Sequence, residues 1–321
     1  MMRLAWLFPG QGAQSIDFLR RLPGHAAVGE TLREADAVLG GGVAALDQEP
    51  ALRSTVGVQL GLLIAGVAQA RALQALGVRP DVVAGLSVGA FGAAVVCGCL
   101  DFGDALRLVR LRAESMQRAY PSGYGMLAVS GLREATLQAV LAQVDVGRAG
   151  ADGGAYLANL NGISQFVVAG SDAALAQVAL LARAAGARQV ERLDVAVPSH
   201  CPLLAGSARM LREALQAVPL RQPAIPYVAN TTARALRTAA DIARDLADSV
   251  MLPVRWHDAQ GLLLELGVRC FVEMPPGQTL TRLVHNLSCR VDAVAADACS
   301  MESLLVRIRR ASALEDAADA P

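Results

Sequence analysis

The chain has 321 residues, 54% hydrophobic and 18% charged, a globular composition long enough to bury a sizeable core. Lys plus Arg and Asp plus Glu balance at 29 each, and without a basic stripe or interleaved aromatics this argues against a nucleic-acid partner. Every basic residue is arginine, which excludes a lysine Schiff base, a Walker-type phosphate lysine and a Ser-Lys dyad.

In chain order, Leu4 to Phe8 reads as a buried strand closed by Pro9-Gly10-Gln11-Gly12, a loop whose glycines let main-chain N–H groups face a ligand. The early Pro-Gly break leaves too short an apolar stretch for a signal peptide, so a cytoplasmic location is expected. A helix is predicted from about Val58 to Leu76, a strand over Val82 to Ala84, and two helices to about Tyr120. This alternation points to an α/β domain with a mostly parallel sheet. A different rhythm starts near Tyr124. Strands are predicted at Met126–Val129, Tyr156–Leu160, Phe166–Ala169 and Gln189–Val195, with helices at Glu134–Val144 and Asp172–Ala185. The order βαββαβ is that of a ferredoxin-like unit.

Strands at Tyr227–Ala229 and Cys270–Glu273 then return to the main sheet, and the Ala/Asp-rich end, Ala311 to Pro321, is expected to fray. The expected fold is therefore an α/β-hydrolase-like core of parallel sheet, residues 1–123 and 197–321, carrying an inserted ferredoxin-like small domain, residues 124–196.

Gly85-Leu86-Ser87-Val88-Gly89 lies between two apolar runs, as a nucleophile elbow requires. The small glycines let a strand turn sharply into a helix, so that the Ser87 hydroxyl stands out near the helix's positive end. Val82 to Leu100 carries no charge and has the length of a membrane helix, but Arg79-Pro80-Asp81 and Asp101-Phe102-Gly103-Asp104 bracket it with turn and capping chemistry. A strand followed by a covered helix fits that bracketing, and no membrane partner is expected.

Four histidines, His25, His200, His257 and His285, are the candidates for a base. His200 leads because it follows an apolar strand and precedes a helix that Ser199 is placed to cap, with Pro202 in its first turn; His257, in a polar segment, is second and is expected to be exposed. The six cysteines, Cys97, Cys99, Cys201, Cys270, Cys289 and Cys299, have no metal-ligand spacing and read as reduced and structural. No metal site is expected.

Arg112 is anomalous: Ala105, Val109, Arg112 and Met116 follow an apolar helical stripe, where a guanidinium needs an anion. Either a structural carboxylate or a bidentate ligand carboxylate would serve.

Phe8-Pro9-Gly10-Gln11-Gly12, the Ser87 elbow, Arg112 within Leu111–Gln117, Ala158-Asn159-Leu160-Asn161, Pro198-Ser199-His200-Cys201 and Glu273-Met274-Pro275-Pro276-Gly277 together resemble the malonyl-CoA:acyl carrier protein transacylases. The resemblance implies a Ser87 nucleophile with His200 as its base, moving malonyl from malonyl-CoA to a carrier-protein phosphopantetheine-type thiol by a ping-pong cycle without a permanent cofactor. It also implies an oxyanion hole from the main-chain N–H groups of Gln11 and Val88, with Arg112 on the malonyl carboxylate, the Ser249 main-chain carbonyl orienting His200, and Asn161 near the acyl site.

The fatty-acid branch usually carries Gly-His-Ser-x-Gly-Glu, whereas Leu86 precedes the serine here and Ala90-Phe91 follow the motif. Those flanks, with Tyr120–Met126, look more like the epsilon subunit of malonate decarboxylase, whose acceptor is the decarboxylase's own carrier subunit. The alternatives are a transacylase of fatty-acid or polyketide synthesis, a serine hydrolase with an acidic triad member after Ser87, and a non-catalytic carrier-binding protein. No such acid is evident, and Ser87 and His200 are both present.

Overall fold

A strand covered on both faces needs apolar side chains at every position, and β1 (Leu4–Phe8) is buried at all five of its residues. The computed structural model describes residues 3–144, 154–287 and 291–316. After β1 come α1 (Ala26–Leu39), the short α2 (Glu49–Leu52), α3 (Thr55–Ala75), β2 (Val82–Gly85), α4 (Gly89–Val96) and α5 (Phe102–Ala119). The chain continues through β3 (Tyr124–Ser130), α6 (Glu134–Leu141), β4 (Ala155–Gly162), β5 (Gln165–Ser171), α7 (Asp172–Ala184) and β6 (Gln189–Arg192). It ends with α8 (Ala205–Gln216), β7 (Tyr227–Val228), β8 (Ala235–Leu236), α9 (Ala239–Asp248), α10 (Trp256–Glu265), β9 (Cys270–Glu273), α11 (Thr279–Leu287), β10 (Asp292–Ala295) and α12 (Met301–Asp316).

Six strands form one sheet in the order β10-β9-β1-β2-β7-β8, parallel except for the antiparallel β7–β8 pair. Alternation along these strands divides the core in two. Trp6, Phe8, Val83 and Val272 point into one layer with residues of α3, α4, α5, α8, α9 and α12. Ala5, Leu7, Val82, Ala84 and Phe271 point into the other with α10 and α11. The sheet is thus covered on both sides, which is why its strands read as unbroken apolar runs. The 21-residue α3 is apolar enough to cross a membrane by composition, but 89% of its most apolar window is buried inside the protein.

The second sheet is antiparallel throughout, in the order β4-β5-β3-β6, and the elements from β3 to β6 run β-α-β-β-α-β. Its edge strand is tied to the rest of the chain: Leu160 N–H donates to Val254 O, and Val254 N–H donates to Ala158 O, both at 2.9 Å. An otherwise unpaired edge is satisfied by the segment that leads into α10.

Several expectations need correction. α1 was not expected; its start is marked by His25, whose Nδ1 accepts from Ala27 N–H, an uncommon cap residue. Ser199 caps no helix. His200 has φ +62°, a short 3-10 turn at Pro202–Leu204 follows, and α8 begins only at Ala205. β6 stops at Arg192 because, after Leu193 N–H donates to Met126 O, the chain leaves the sheet to carry Val197–His200 inward. α12 continues to Asp316 where fraying was expected from Ala311, because Leu304 and Ile308 anchor it in the core; 317–321 lie outside the described residues. Among the described residues no disulfide forms: Cys97, Cys99, Cys201 and Cys270 are buried and Cys299 is partly buried, while Cys289 lies outside the described residues.

The tightest packing is at the end of β2. A Cβ on Gly89 would stand 2.2 Å from the Phe8 carbonyl oxygen, and one on Gly85 would stand 2.2 Å from the Gly89 carbonyl carbon. Backbone cannot give way there as a side-chain end can. Gly89→Ala is expected to destabilise the fold by about 3 kcal/mol, at the upper end of overpacking costs. A urea unfolding midpoint equal to that of the unmodified chain would contradict this packing.

Candidate active site

Parallel pairing brings loops together at the carboxyl ends of neighbouring strands. Phe8 pairs with Gly85, so Pro9–Gly12 runs beside the turn at Ser87; Ala84 pairs with Val228, so Asn230 arrives on its other side. Ser87 sits between β2 and α4 with φ +57°, a left-handed conformation that costs a non-glycine residue about 1–2 kcal/mol. The turn is kept by its surroundings: Leu86 N–H donates to Phe8 O at 2.9 Å, and Asn230 Oδ1 accepts from Ser87 N–H at 2.8 Å. The Ser87 hydroxyl therefore stands at the mouth of α4.

Ser87 Oγ lies 2.8 Å from His200 Nε2, and His200 Nδ1 bonds to the Ser249 carbonyl oxygen. A carbonyl only accepts, so Nδ1 carries the proton and Nε2 is the free acceptor for the serine hydroxyl. His200 is 2% exposed, and its own N–H donates to Val250 O at 3.0 Å. Burial, followed by the nearby Arg112 charge, pulls its pKa down from 6.5 to about 3, while the bond to Ser249 opposes this. The imidazole is neutral at physiological pH, which is the protonation state a base needs.

Arg112 projects from α5 and is 1% exposed. Its Nη1 donates to Gln59 Oε1 on α3 at 2.5 Å and its Nη2 to Ser87 Oγ at 3.1 Å, while its Nε has no partner. Of the two partners the sequence allowed, a structural carboxylate is not found among the described residues: Gln59 and Ser87 are both neutral. Burial lowers its pKa to about 10, so it stays cationic at neutral pH. A buried charge without a counterion costs several kcal/mol, and an anion entering beside Ser87 would offset that cost.

Ser87 and His200 open on a cleft of about 570 Å³ between the two sheets, lined also by Gln11, Gln59, Val88, Asn161 and Phe166, while Arg112 lies behind it and meets it through Ser87 Oγ and Gln59. Val88 stands at the start of α4 with helical backbone angles, so its N–H is among the first-turn donors that have no intrahelical acceptor. Gln11, in the loop after β1, lines the same cleft as Val88 and Ser87. Asn161 is on β4, with its Oδ1 buried and unpartnered. Among the described residues no three or more His, Cys, Asp or Glu side chains gather as a metal site.

The acyl transferase domain family matches residues 5–310. The chain belongs to that family. It is 35% identical over 312 residues to the malonyl CoA-acyl carrier protein transacylase of Escherichia coli strain K12, covering 95% of this chain and 98% of the relative. Among solved structures, FabD from Acinetobacter baumannii superposes with a TM-score of 0.90 at 31% identity, covering 98% of this chain and 99% of that one. A malonyl-transacylase in complex with a type II PKS acyl-carrier protein superposes with a TM-score of 0.87 at 34% identity, covering 92% of this chain and 96% of that one.

The acyl transferase site also contains residues that the sequence did not single out. Gln59 lies in the second turn of the buried α3, and Asn230 follows β7; only their long-range bonds to Arg112 and Ser87 reveal them. His257 is half-buried on α10, in a different cavity from Ser87, and His25 is engaged as the cap of α1. Cys201 adjoins His200 but donates to Pro198 O, and burial pushes its thiol up to about 12, so it is no rival nucleophile. NMR of the imidazole is expected to show neutral His200 from pH ~8 down to pH ~5, well above its depressed pKa. Arg112→Ala should move the His200 midpoint upward by removing a repelling charge; an unchanged or lower midpoint would contradict the coupling.

Proposed function

We propose that the chain is a malonyl-CoA:acyl carrier protein transacylase acting through a Ser87 acyl-enzyme. The observation that carries this reading is Arg112, a buried cation with only neutral partners, 3.1 Å from a serine hydroxyl that is itself 2.8 Å from a neutral imidazole. An acyl group that bears a free carboxylate fits such a site, and malonyl thioester is the substrate named for the relatives. Both oxygens of the carboxylate can be met by the planar fork of the guanidinium.

As Ser87 Oγ attacks the thioester carbonyl, His200 Nε2 takes its proton. The N–H groups of Gln11 and Val88 hold the oxyanion, at up to ~3 kcal/mol each in the transition state. The intermediate collapses when the C–S bond breaks, with His200 returning the proton to the coenzyme A thiolate. In the second half the phosphopantetheine thiol of the carrier protein gives its proton to His200 and attacks the serine ester, and the same proton then restores the Ser87 hydroxyl. Nucleophile, base and oxyanion donors all come from the chain, so the transfer needs no resident cofactor. A carbonyl rather than a carboxylate at His200 Nδ1 also sets the site apart from the acid-containing triad of a serine hydrolase.

The acceptor in this reading is a carrier of fatty-acid or polyketide synthesis: the relatives' names carry an acyl carrier protein, and one solved structure is a complex with a type II PKS carrier. The decarboxylase carrier is the second reading, and it rests on Leu86 at the cleft and on the fully buried Ala90 and Phe91, which stand where the usual fatty-acid flanks differ. In the two-domain reading, residues 124–196 are a ferredoxin-like insertion that roofs the cleft, and 1–123 with 197–321 form an α/β-hydrolase-like body.

Intact mass after mixing with malonyl-CoA should show a malonyl adduct on Ser87, with little from acetyl-CoA. Arg112→Ala should cut the malonyl preference by roughly 10²-fold, the upper range for losing a charge-assisted pair of bonds, while leaving a folded protein. Equal labelling by both thioesters would remove Arg112 from its assigned role. Separately, transfer is expected to be faster to a fatty-acid or polyketide carrier than to a malonate decarboxylase carrier subunit; the reverse order would establish the second reading.

A further inference from the structure

Ser87 and His200 are 113 residues apart and sit on different loops, yet their side chains meet at hydrogen-bond distance. The base is held by the end of α9: Ser249, the residue after that helix, supplies the carbonyl for Nδ1, and Val250 O accepts the His200 N–H. One turn earlier on the same helix, Asp245 points inward and is 4% exposed. Its carboxylate accepts from Tyr227 O–H at 2.8 Å, Asn230 N–H at 2.9 Å, Thr231 N–H at 3.0 Å and Thr231 O–H at 2.7 Å. These four donors fix the chain as it leaves β7.

The segment so fixed presents Asn230, 2% exposed, to the elbow. Its Oδ1 accepts from Ser87 N–H and its Nδ2 donates to Gly85 O, both at 2.8 Å. The two bonds close across Leu86 and pin the left-handed turn from both sides. Asparagine is suited to this position because one planar group offers an acceptor and a donor side by side; aspartate keeps only the acceptor, and alanine neither.

We infer that Asn230 and Asp245 are positioning residues, and that α9 is the common frame of nucleophile and base: its Asp245 sets Ser87 through Asn230, and its end sets His200. The separation of the two reacting groups is thereby fixed by one helix instead of by two independent loops. This inference rests on the reading of Ser87 as the nucleophile. Neither Asn230 nor Asp245 lines the cleft or bonds to Arg112, so their loss should act on the reaction geometry and leave the grip on the substrate intact.

The test is steady-state malonyl transfer by Asn230→Ala, Asn230→Asp and Asp245→Asn, with folding followed by thermal melting and Ser87→Ala as the control. Asn230→Ala and Asp245→Asn are expected to lose between about 10- and 100-fold in kcat, the range for misplacing a reacting group, with the KM for malonyl-CoA within about twofold. Asn230→Asp, which preserves the bond to Ser87 N–H, should retain more activity than Asn230→Ala and is the variant to rely on if the alanine form fails to fold. Unchanged kcat in folded Asn230 and Asp245 variants would overturn the inference, as would a fall in kcat that only tracks the unfolded fraction. Full transfer by Ser87→Ala would instead overturn the nucleophile assignment itself.

Discussion

The structure depends on the contact between the first turn of α4 and the end of β1. With Gly89 against the Phe8 carbonyl and Gly85 against Gly89, the elbow is as closed as backbone allows. That closure makes Ser87 left-handed and presents its hydroxyl at the helix start. It also brings the loop after β1 beside the elbow, so that Gln11 and Val88 line the same cleft. Gly10 belongs to the same arrangement, since a Cβ there would lie 2.9 Å from the Leu86 carbonyl. A turn this tight has few ways to relax, so its geometry passes directly to the groups it carries.

Around that turn, electrostatics are set by burial more than by pairing. Arg112 and His200 are neighbours in a dry place, and each is affected: burial lowers the pKa of both, and the guanidinium lowers that of the imidazole further. The result is a neutral base beside a cation, with the serine hydroxyl between them. If Arg112 were paired with a structural carboxylate, His200 would lose part of the repulsion that lowers its pKa. Gln59 supplies a neutral acceptor instead, which orients the guanidinium and leaves its charge available.

Much of this was legible in the sequence where the signal is local. The apolar runs of β1 and β2, the glycine spacing of the elbow, and the arginine on an apolar helical stripe all follow from period and composition, and they lie where expected. The misses have physical causes of their own. α1 starts at a histidine cap, which is not a common start signal, and Ser199 resembles a cap but is followed by a left-handed His200 that delays the helix to Ala205. Asn230 and Asp245 are ordinary polar residues along the chain. Their role exists only once β7 lies beside β2 and α9 packs behind it, a register that no short window contains.

Ser249 and Asn230 differ in what the position demands. His200 takes its orientation from a main-chain carbonyl, and the Ser249 side chain turns away to donate to Leu246 O. Any residue that lets the helix end in the same place supplies that carbonyl, so the side chain at 249 carries no information about the base it orients. Asn230 acts through its side chain, and the two bonds it makes need a donor and an acceptor in one plane. The elbow is therefore specified chemically on one side and only conformationally on the other, with α9 linking the two. Side-chain identity marks the asparagine and not the serine, although both residues hold Ser87 Oγ and His200 Nε2 at hydrogen-bond distance.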